Sequence, residues 1–346
     1  EGMDRVARMP QPFGREPSIL AQGPACDLDR TACNEPRRQP PDLISCPAPT
    51  RIPPMTSRRY VQLDVFADRP GAGNPLAVVL DAAGLDDAAM QAIARWTRLP
   101  ETTFVFAPTR PGASYAVRMF SPRREVPFAG HPSVGTAHVV LDAGLAAPVD
   151  GLLMQEGAAG VLPLRVEGDG AARTIAVRTP RATVVREGDP AGDALLGAAL
   201  AALPSGALPP ALVDGGRRWW LAEVRDEAAL RTATPDWDAI SALARATDSM
   251  GVCAYARTPG RDYDLAVRAF VGAPAAFEDA ASGAANATLA AWLKSRDALP
   301  GRDGRYVVSQ GREVGYDARL QLRVDDAGDI WSGGHVRTIV TGQIDW

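Results

Sequence analysis

The sequence predicts an α+β fold of two similar halves. Two observations carry that reading: an internal repeat of long period, and a change of composition near residue 57 that marks where folded chain begins. In the first half a helical stretch, the strand-like TTFVFA, a Pro-Gly turn, SYAVRMF, a loop and FAGHPSVGTAHVVLDAGL follow in order. The second half repeats the order with residues 237–246, GVCAYA, TPGRD, YDLAVRAF and FEDAASGAANATLAAWL. Further strand-like runs follow each copy, at 161–166 and 174–178, then at 306–309, 319–324 and 336–341. Each half is therefore expected to curl a mixed β-sheet around one central helix, which gives the helix's apolar face somewhere to be buried.

Taken in order, residues 1–57 are rich in Pro and Arg, as in EPRRQPPD and CPAPTRIPP, and show no sustained apolar period. Such a segment cannot bury enough surface to offset its ordering entropy, so a disordered or loosely ordered extension is expected. It lacks an apolar core followed by a small-residue cleavage site, so no secretory signal is expected, and Met55 is a candidate natural start. From Tyr60, YVQLDVF alternates as a strand, DRPGAGNP turns, and LAVVL is a second strand. Asp86 or Asp87 can cap a helix in which Leu85, Ala89, Ile93 and Trp96 recur at helical spacing, and Pro100 stops it. The first half is expected over 58–180, with a last strand at 335–346 returning to it, and the second over 181–334.

Composition narrows the function. A net charge of −4 leaves no basic footprint for nucleic acid, and the longest apolar runs fall short of the roughly 20 residues a membrane helix needs. A cytoplasmic protein without membrane or nucleic-acid partners is expected. Four cysteines fit no zinc spacing; Cys26, Cys33 and Cys46 fall in the leader, and Cys253 sits in an apolar run. Pyridoxal phosphate would need a Schiff-base lysine, and the only lysine, Lys294, sits near a helix end as a surface residue. Neither GxGxxG nor GxxxxGK[ST] occurs, GxSxG is missing, and three histidines (His131, His138, His335) give no metal set. No cofactor and no metal are expected.

The two matched loop-to-helix segments are where chemistry should lie. Pro132 suits a first helical turn, with Val134, Ala137, Val140 and Leu141 as an inward stripe. In the second copy Asp279 and Ser282 are available caps, with Ala285, Leu289, Trp292 and Leu293 as the stripe. Aligning Gly135 with Gly283 sets His131 opposite Asp279, each four residues before its glycine. Alone, Asp279 reads as an N-cap and His131 as a structural hydrogen-bonding residue; at equivalent places in a duplicated fold they converge on one cleft. Two helix N-termini facing that cleft would suit a small carboxylate.

LPETTFVF, VPFAGHPSVGTAHVV and FEDAASGAANATLA resemble three signature segments of the PhzF family, whose fold is that of diaminopimelate epimerase. GNPLAVVL, SQGREVG and the final SGGHVRTIVTG agree in order and spacing. The resemblance implies that Glu101 is a catalytic glutamate moving a proton between two substrate carbons. It further implies that His131 and Asp279 hold the substrate and assist, and that substrate carboxylate approaches Gly130 and Gly283, with Ser282 and Ala284 beside them. It implies a homodimer and a substrate like trans-2,3-dihydro-3-hydroxyanthranilate. Ala284 stands where the family commonly has serine, which puts that substrate in question. No cysteine stands at the helix entrances, unlike the two-thiol epimerases of this fold. An amino-acid epimerase using Glu101 and Asp279 as opposed bases, or a non-catalytic small-molecule binding protein, are the competing readings. On its own, Glu101 would be a solvated residue ahead of a strand; apolar Leu99, Phe104 and Phe106 could raise its pKa by burying it.

Overall fold

Alternating and fully apolar runs become strands wherever the sequence shows them, and the computed structural model, which describes residues 56–346, orders them into one long curled sheet. The extension expected at 1–57 lies outside the described residues except for its last two. The first half comprises β1 (Ser57–Val65), β2 (Asn74–Val79), α1 (Asp87–Thr97), β3 (Glu101–Phe106), β4 (Tyr115–Phe120), β5 (Glu125–Val126), α2 (Gly130–Asp142), β6 (Leu152–Gly157), β7 (Gly160–Glu167) and β8 (Thr174–Arg178). Then come β9 (Thr183–Glu187), α3 (Ala194–Leu200), β10 (Ala211–Asp214), β11 (Arg218–Glu223), α4 (Glu227–Thr232), α5 (Trp237–Ala246), β12 (Gly251–Arg257), β13 (Leu265–Val271), β14 (Phe277–Asp279), α6 (Gly283–Ser295), β15 (Arg305–Gln310), β16 (Ala318–Val324), β17 (Ile330–Gly334) and β18 (Val336–Asp345).

Strand pairing exposes the duplication. β2 runs parallel to β3, and β4 lies antiparallel to both β3 and β5; β11, β12, β13 and β14 repeat the pattern. β8 joins β17 antiparallel, which makes the sheet continuous across the two halves, while β18 crosses back to pair with β1. Phe120 faces Thr102 and Glu125, just as Phe270 faces Val252 and Glu278. By that register Glu101 corresponds to Gly251 and Val126 to Asp279. The helices that follow, α2 and α6, are both 13 residues long and start at Gly130 and Gly283.

That register corrects the alignment of Gly135 with Gly283. The equivalent of Gly283 is Gly130, so His131 corresponds to Ala284, and His131 and Asp279 are not mates. The two kinds of glycine differ in physical reason. A Cβ on Gly135 would sit 2.5 Å from Leu76 Cδ2, a side-chain packing constraint, whereas a Cβ on Gly130 or Gly283 would sit 3.4 Å from the other's Cα.

The stripes expected on the two central helices are also too narrow. Val134, Ala137 and Val140 are buried, but so are Ser133, Thr136 and Val139; α6 is likewise buried on nearly every side, including Asn286 and Thr288. A helix wrapped by sheet has no solvent face to keep polar. α1, on the outside, behaves oppositely: Asp86 caps it, accepting from Ala89 N at 2.8 Å, and Met90, Ile93 and Ala94 face inward. Trp96, expected on that inner stripe, is 66% exposed and lies 6.5 Å from Trp346. The helix stops at Arg98, whose left-handed φ of 56° precedes Pro100. Trp219 packs in the core around α6 and Trp220 in the layer beneath α3 and α5, so both are core residues. Among the described residues no helix is long and apolar enough to cross a membrane.

Candidate active site

Glu101 opens β3 beside Leu76 of the parallel β2, and its neighbours Thr102, Thr103 and Phe104 are fully buried. This placement puts the carboxyl against the first turn of α2, where His131 Nε2 lies 3.3 Å from Oε2. The His131 ring is buried and hydrogen-bonds the backbone of Pro75; burial dominates and pushes its pKa down to about 3. With one ring N–H given to Pro75, Nε2 is assigned the lone pair, and it has no other partner. Glu101 goes the other way. Burial first, and then the negative charge of Asp279, lift it to about 7, while the positive charge of Arg217 opposes them. A carboxyl close to half-protonated near neutrality thus faces a neutral nitrogen able to accept a hydrogen bond from its protonated form. That is the tuning acid–base chemistry requires, and Glu101 is no solvated loop residue.

Asp279 ends β14 and is half-buried. Asn74 Nδ2 (3.4 Å) and Ala281 N (3.2 Å) donate to its Oδ1. Its pKa is raised by burial, against these donors and the Ser282 hydroxyl. Asn74 also donates to Ala281 O at 2.9 Å, and Gln310 Nε2 to Asp279 O at 2.8 Å. Gln310 Oε1 in turn accepts from Asn286 Nδ2 at 2.8 Å. Sequence reasoning passed over Asn74, Gln310 and Asn286. Asn74 alone carried a local signal, an amide opening the otherwise apolar strand NPLAVV; Gln310 and Asn286 sit among other polar residues of their elements.

Ser282 is the N-cap of α6, its Oγ accepting from Ala285 N at 3.3 Å. α2 begins behind Ala129, which offers no side-chain cap. The backbone N–H groups of Gly130, His131, Gly283 and Ala284 have no acceptor among the described residues. Because Gly130 and Gly283 nearly touch, these four donors and two positive helix ends converge on one spot, fit for a carboxylate. The structure thus brings Glu101, His131, Asp279, Gly130, Ser282, Gly283 and Ala284 together.

Other chemistry-bearing residues lie elsewhere. Cys253 is buried and its thiol pushed up to about 12, and Lys294 is exposed, donating to Gly328 O. His138 meets Asp142 and Thr338; His335 meets Arg173 O. No group of His, Cys, Asp and Glu among the described residues is placed to hold a metal. A cavity of about 220 Å³ at the seam of β8 and β17 contains none of the site residues.

A sheet continuous through two duplicated halves, with two buried helices meeting at their N-termini beside two half-buried carboxyls, is a diaminopimelate epimerase-like fold. Residues 63–343 match the sequence pattern of the PhzC-PhzF family, described as phenazine biosynthesis-like protein. The chain is 33% identical over 273 residues to trans-2,3-dihydro-3-hydroxyanthranilate isomerase of Pseudomonas aeruginosa, covering 78% of this chain and 92% of that one. Its fold matches a PhzF family phenazine biosynthesis protein of Bacillus anthracis (TM-score 0.68, 22% identity, 84% of this chain and 99% of that one). It also matches a hydroxyproline epimerase of Agrobacterium vitis with bound trans-4-hydroxy-L-proline (TM-score 0.57, 12% identity, 84% and 92%). The chain belongs to the PhzF family and is an isomerase.

Proposed function

We propose that this isomerase works without a cofactor, with Glu101 carrying a proton between two carbons of a small cyclic amino-carboxylate like trans-2,3-dihydro-3-hydroxyanthranilate. The observation that supports this best is the contact of a carboxyl lifted to about 7 with the lone pair of a neutral histidine. The substrate carboxylate sits over the four free N–H groups. Ionised Glu101 takes a proton from a carbon next to the unsaturated system, which accepts the electron pair, and the resulting acid returns the proton to a second carbon. No group leaves and nothing is oxidised. His131 orients the protonated carboxyl through Nε2, and Asp279 accepts from a hydroxyl or ammonium group of the substrate. Ala284 supplies no hydroxyl, so its half of the anion site relies on backbone donors.

Incubation with trans-2,3-dihydro-3-hydroxyanthranilate in deuterated water, followed by NMR, tests the reading. Wild type should place deuterium at a carbon of the isomerised product, and Glu101→Gln should not; a Gln variant with undiminished exchange would sink the assignment. The fold shared with a hydroxyproline epimerase gives the second reading its specific support. Loss of optical rotation without a positional isomer would select it.

A further inference from the structure

Two adjacent arginines stand at the start of β11, Arg217 in the turn just before it and Arg218 as its first residue, and they are used differently. Arg218 Nε pairs with Asp214 at 3.0 Å, and its Nη1 lies 3.6 Å from Asp248. Arg217, half-buried, has no carboxylate within ion-pair distance among the described residues; the one side-chain hydrogen bond of its guanidinium is to Met250 Sδ, at 3.5 Å. Arg217 lies two residues ahead of Trp219, and extending the alternation of β11 back by one residue sets it on the same side, the one that packs around α6. The turn before it, at Gly215, lies against Thr288 in the second turn of α6. Register adds a second constraint. Trp220 pairs with Val252 as Ala77 pairs with Thr102, which makes Arg217 the counterpart of Asn74. Asn74 already reaches Asp279 at the junction of the two helices. An unpaired cation thus stands in the place where the first half sets an amide. Its charge is felt at Glu101.

From these placements we infer that Arg217 is a substrate-binding residue of this site, its guanidinium taking the substrate carboxylate together with the N–H groups at the junction of α2 and α6. The inference rests on the proposed proton-transfer site for its ligand class, a planar monocarboxylate.

Titration of anthranilate and of its carboxamide into wild-type protein, Arg217→Met, Arg217→Lys and Arg218→Met tests it. Arg217→Met should weaken anthranilate binding about 10- to 100-fold, the usual worth of a charge-assisted hydrogen bond, and leave the carboxamide unchanged. Arg217→Lys should restore part of the loss, and Arg218→Met should bind as wild type does. In turnover, Arg217→Met should raise KM more than it lowers kcat, and should move the rising limb of the pH profile upward. Equal losses for both ligands, no loss for anthranilate, or a wild type that does not prefer the carboxylate would each overturn the inference. If binding follows the expected pattern while no deuterium enters the product, the proton-transfer reading fails and the role of Arg217 stands.

Discussion

The two halves share a scaffold and differ at the places that line the candidate site. Arg118 binds Glu125 in the first half and Arg268 binds Glu278 in the second, each guanidinium lying over the next phenylalanine, 5.2 Å from the Phe120 ring and 4.8 Å from the Phe270 ring. This pair survived duplication because it fixes a turn both halves need. At the site the mates diverge: Glu101 with Gly251, His131 with Ala284, Asp279 with Val126, and Asn74 with Arg217. Apart from the last pair, only one partner carries a polar side chain. The lesson is chemical. Two symmetric copies of one acid–base residue would be tuned alike, whereas unlike mates leave Glu101 with a pKa set by its own burial, by the repulsion of Asp279 and by the opposing charge of Arg217.

The largest expected effect breaks the comparison at its functional end. Glu101→Gln should cut deuterium exchange by about 10²- to 10⁴-fold, the range of a lost general acid–base, with circular dichroism unchanged. Next comes the duplicated ion pair. Arg268 and Glu278 are each 5% exposed, and Arg268→Met should cost about 3–5 kcal/mol in urea unfolding because it strands a buried carboxylate. Its mate should be far weaker: Arg118 and Glu125 are 32% and 38% exposed, and Arg118→Met should cost no more than about 1 kcal/mol. Equal costs would mean the halves are buried alike.

Glu101 also leaves a signature in stability. Its folded pKa of about 7 exceeds the ordinary 4.5, so its contribution is fully present below 4.5 and lost as pH rises through 7. The excess stability of Glu101→Gln over wild type should therefore grow from none near pH 4 to roughly 3 kcal/mol above pH 8. The smallest effect is a displacement. The Asp279 charge raises Glu101, so Asp279→Asn should move the rising limb of kcat/KM below its wild-type position near 7, the reverse of Arg217→Met. His131, neutral down to about 3, should add no limb of its own between pH 5 and 9.

How much of this was legible beforehand follows from the kind of signal each residue gives. AVRMF and AVRAF announce a duplication because both encode the same strand, and residues 237–246 form a helix because their apolar spacing is helical. The register of the repeat was misread at Gly135, since a glycine forced by side-chain packing and one forced by helix-to-helix approach look identical in sequence. β17 gave no strand pattern because IWSGG is buried on both faces and alternates in nothing. Trp96 looked like a core residue because spacing cannot say which side of an outer helix ends at a groove. Asn74, Arg217 and Gln310 reach the site only through strand pairing, so no local motif points to them. Glu101 was legible through resemblance alone; its burial depends on α2 folding down over β3.

The return of β18 to β1 has a consequence for how the protein is made. The first strand, Ser57 to Val65, pairs with β2 along one edge, but the partner of its other edge is the late segment Val336 to Asp345. On the ribosome, the half that supplies Glu101 and His131 emerges early, yet it must wait with an open edge until this late segment has been translated. A premature stop anywhere ahead of Val336 would leave that edge of β1 open for good, and nascent protein would need it shielded against pairing with a neighbouring polysome's product.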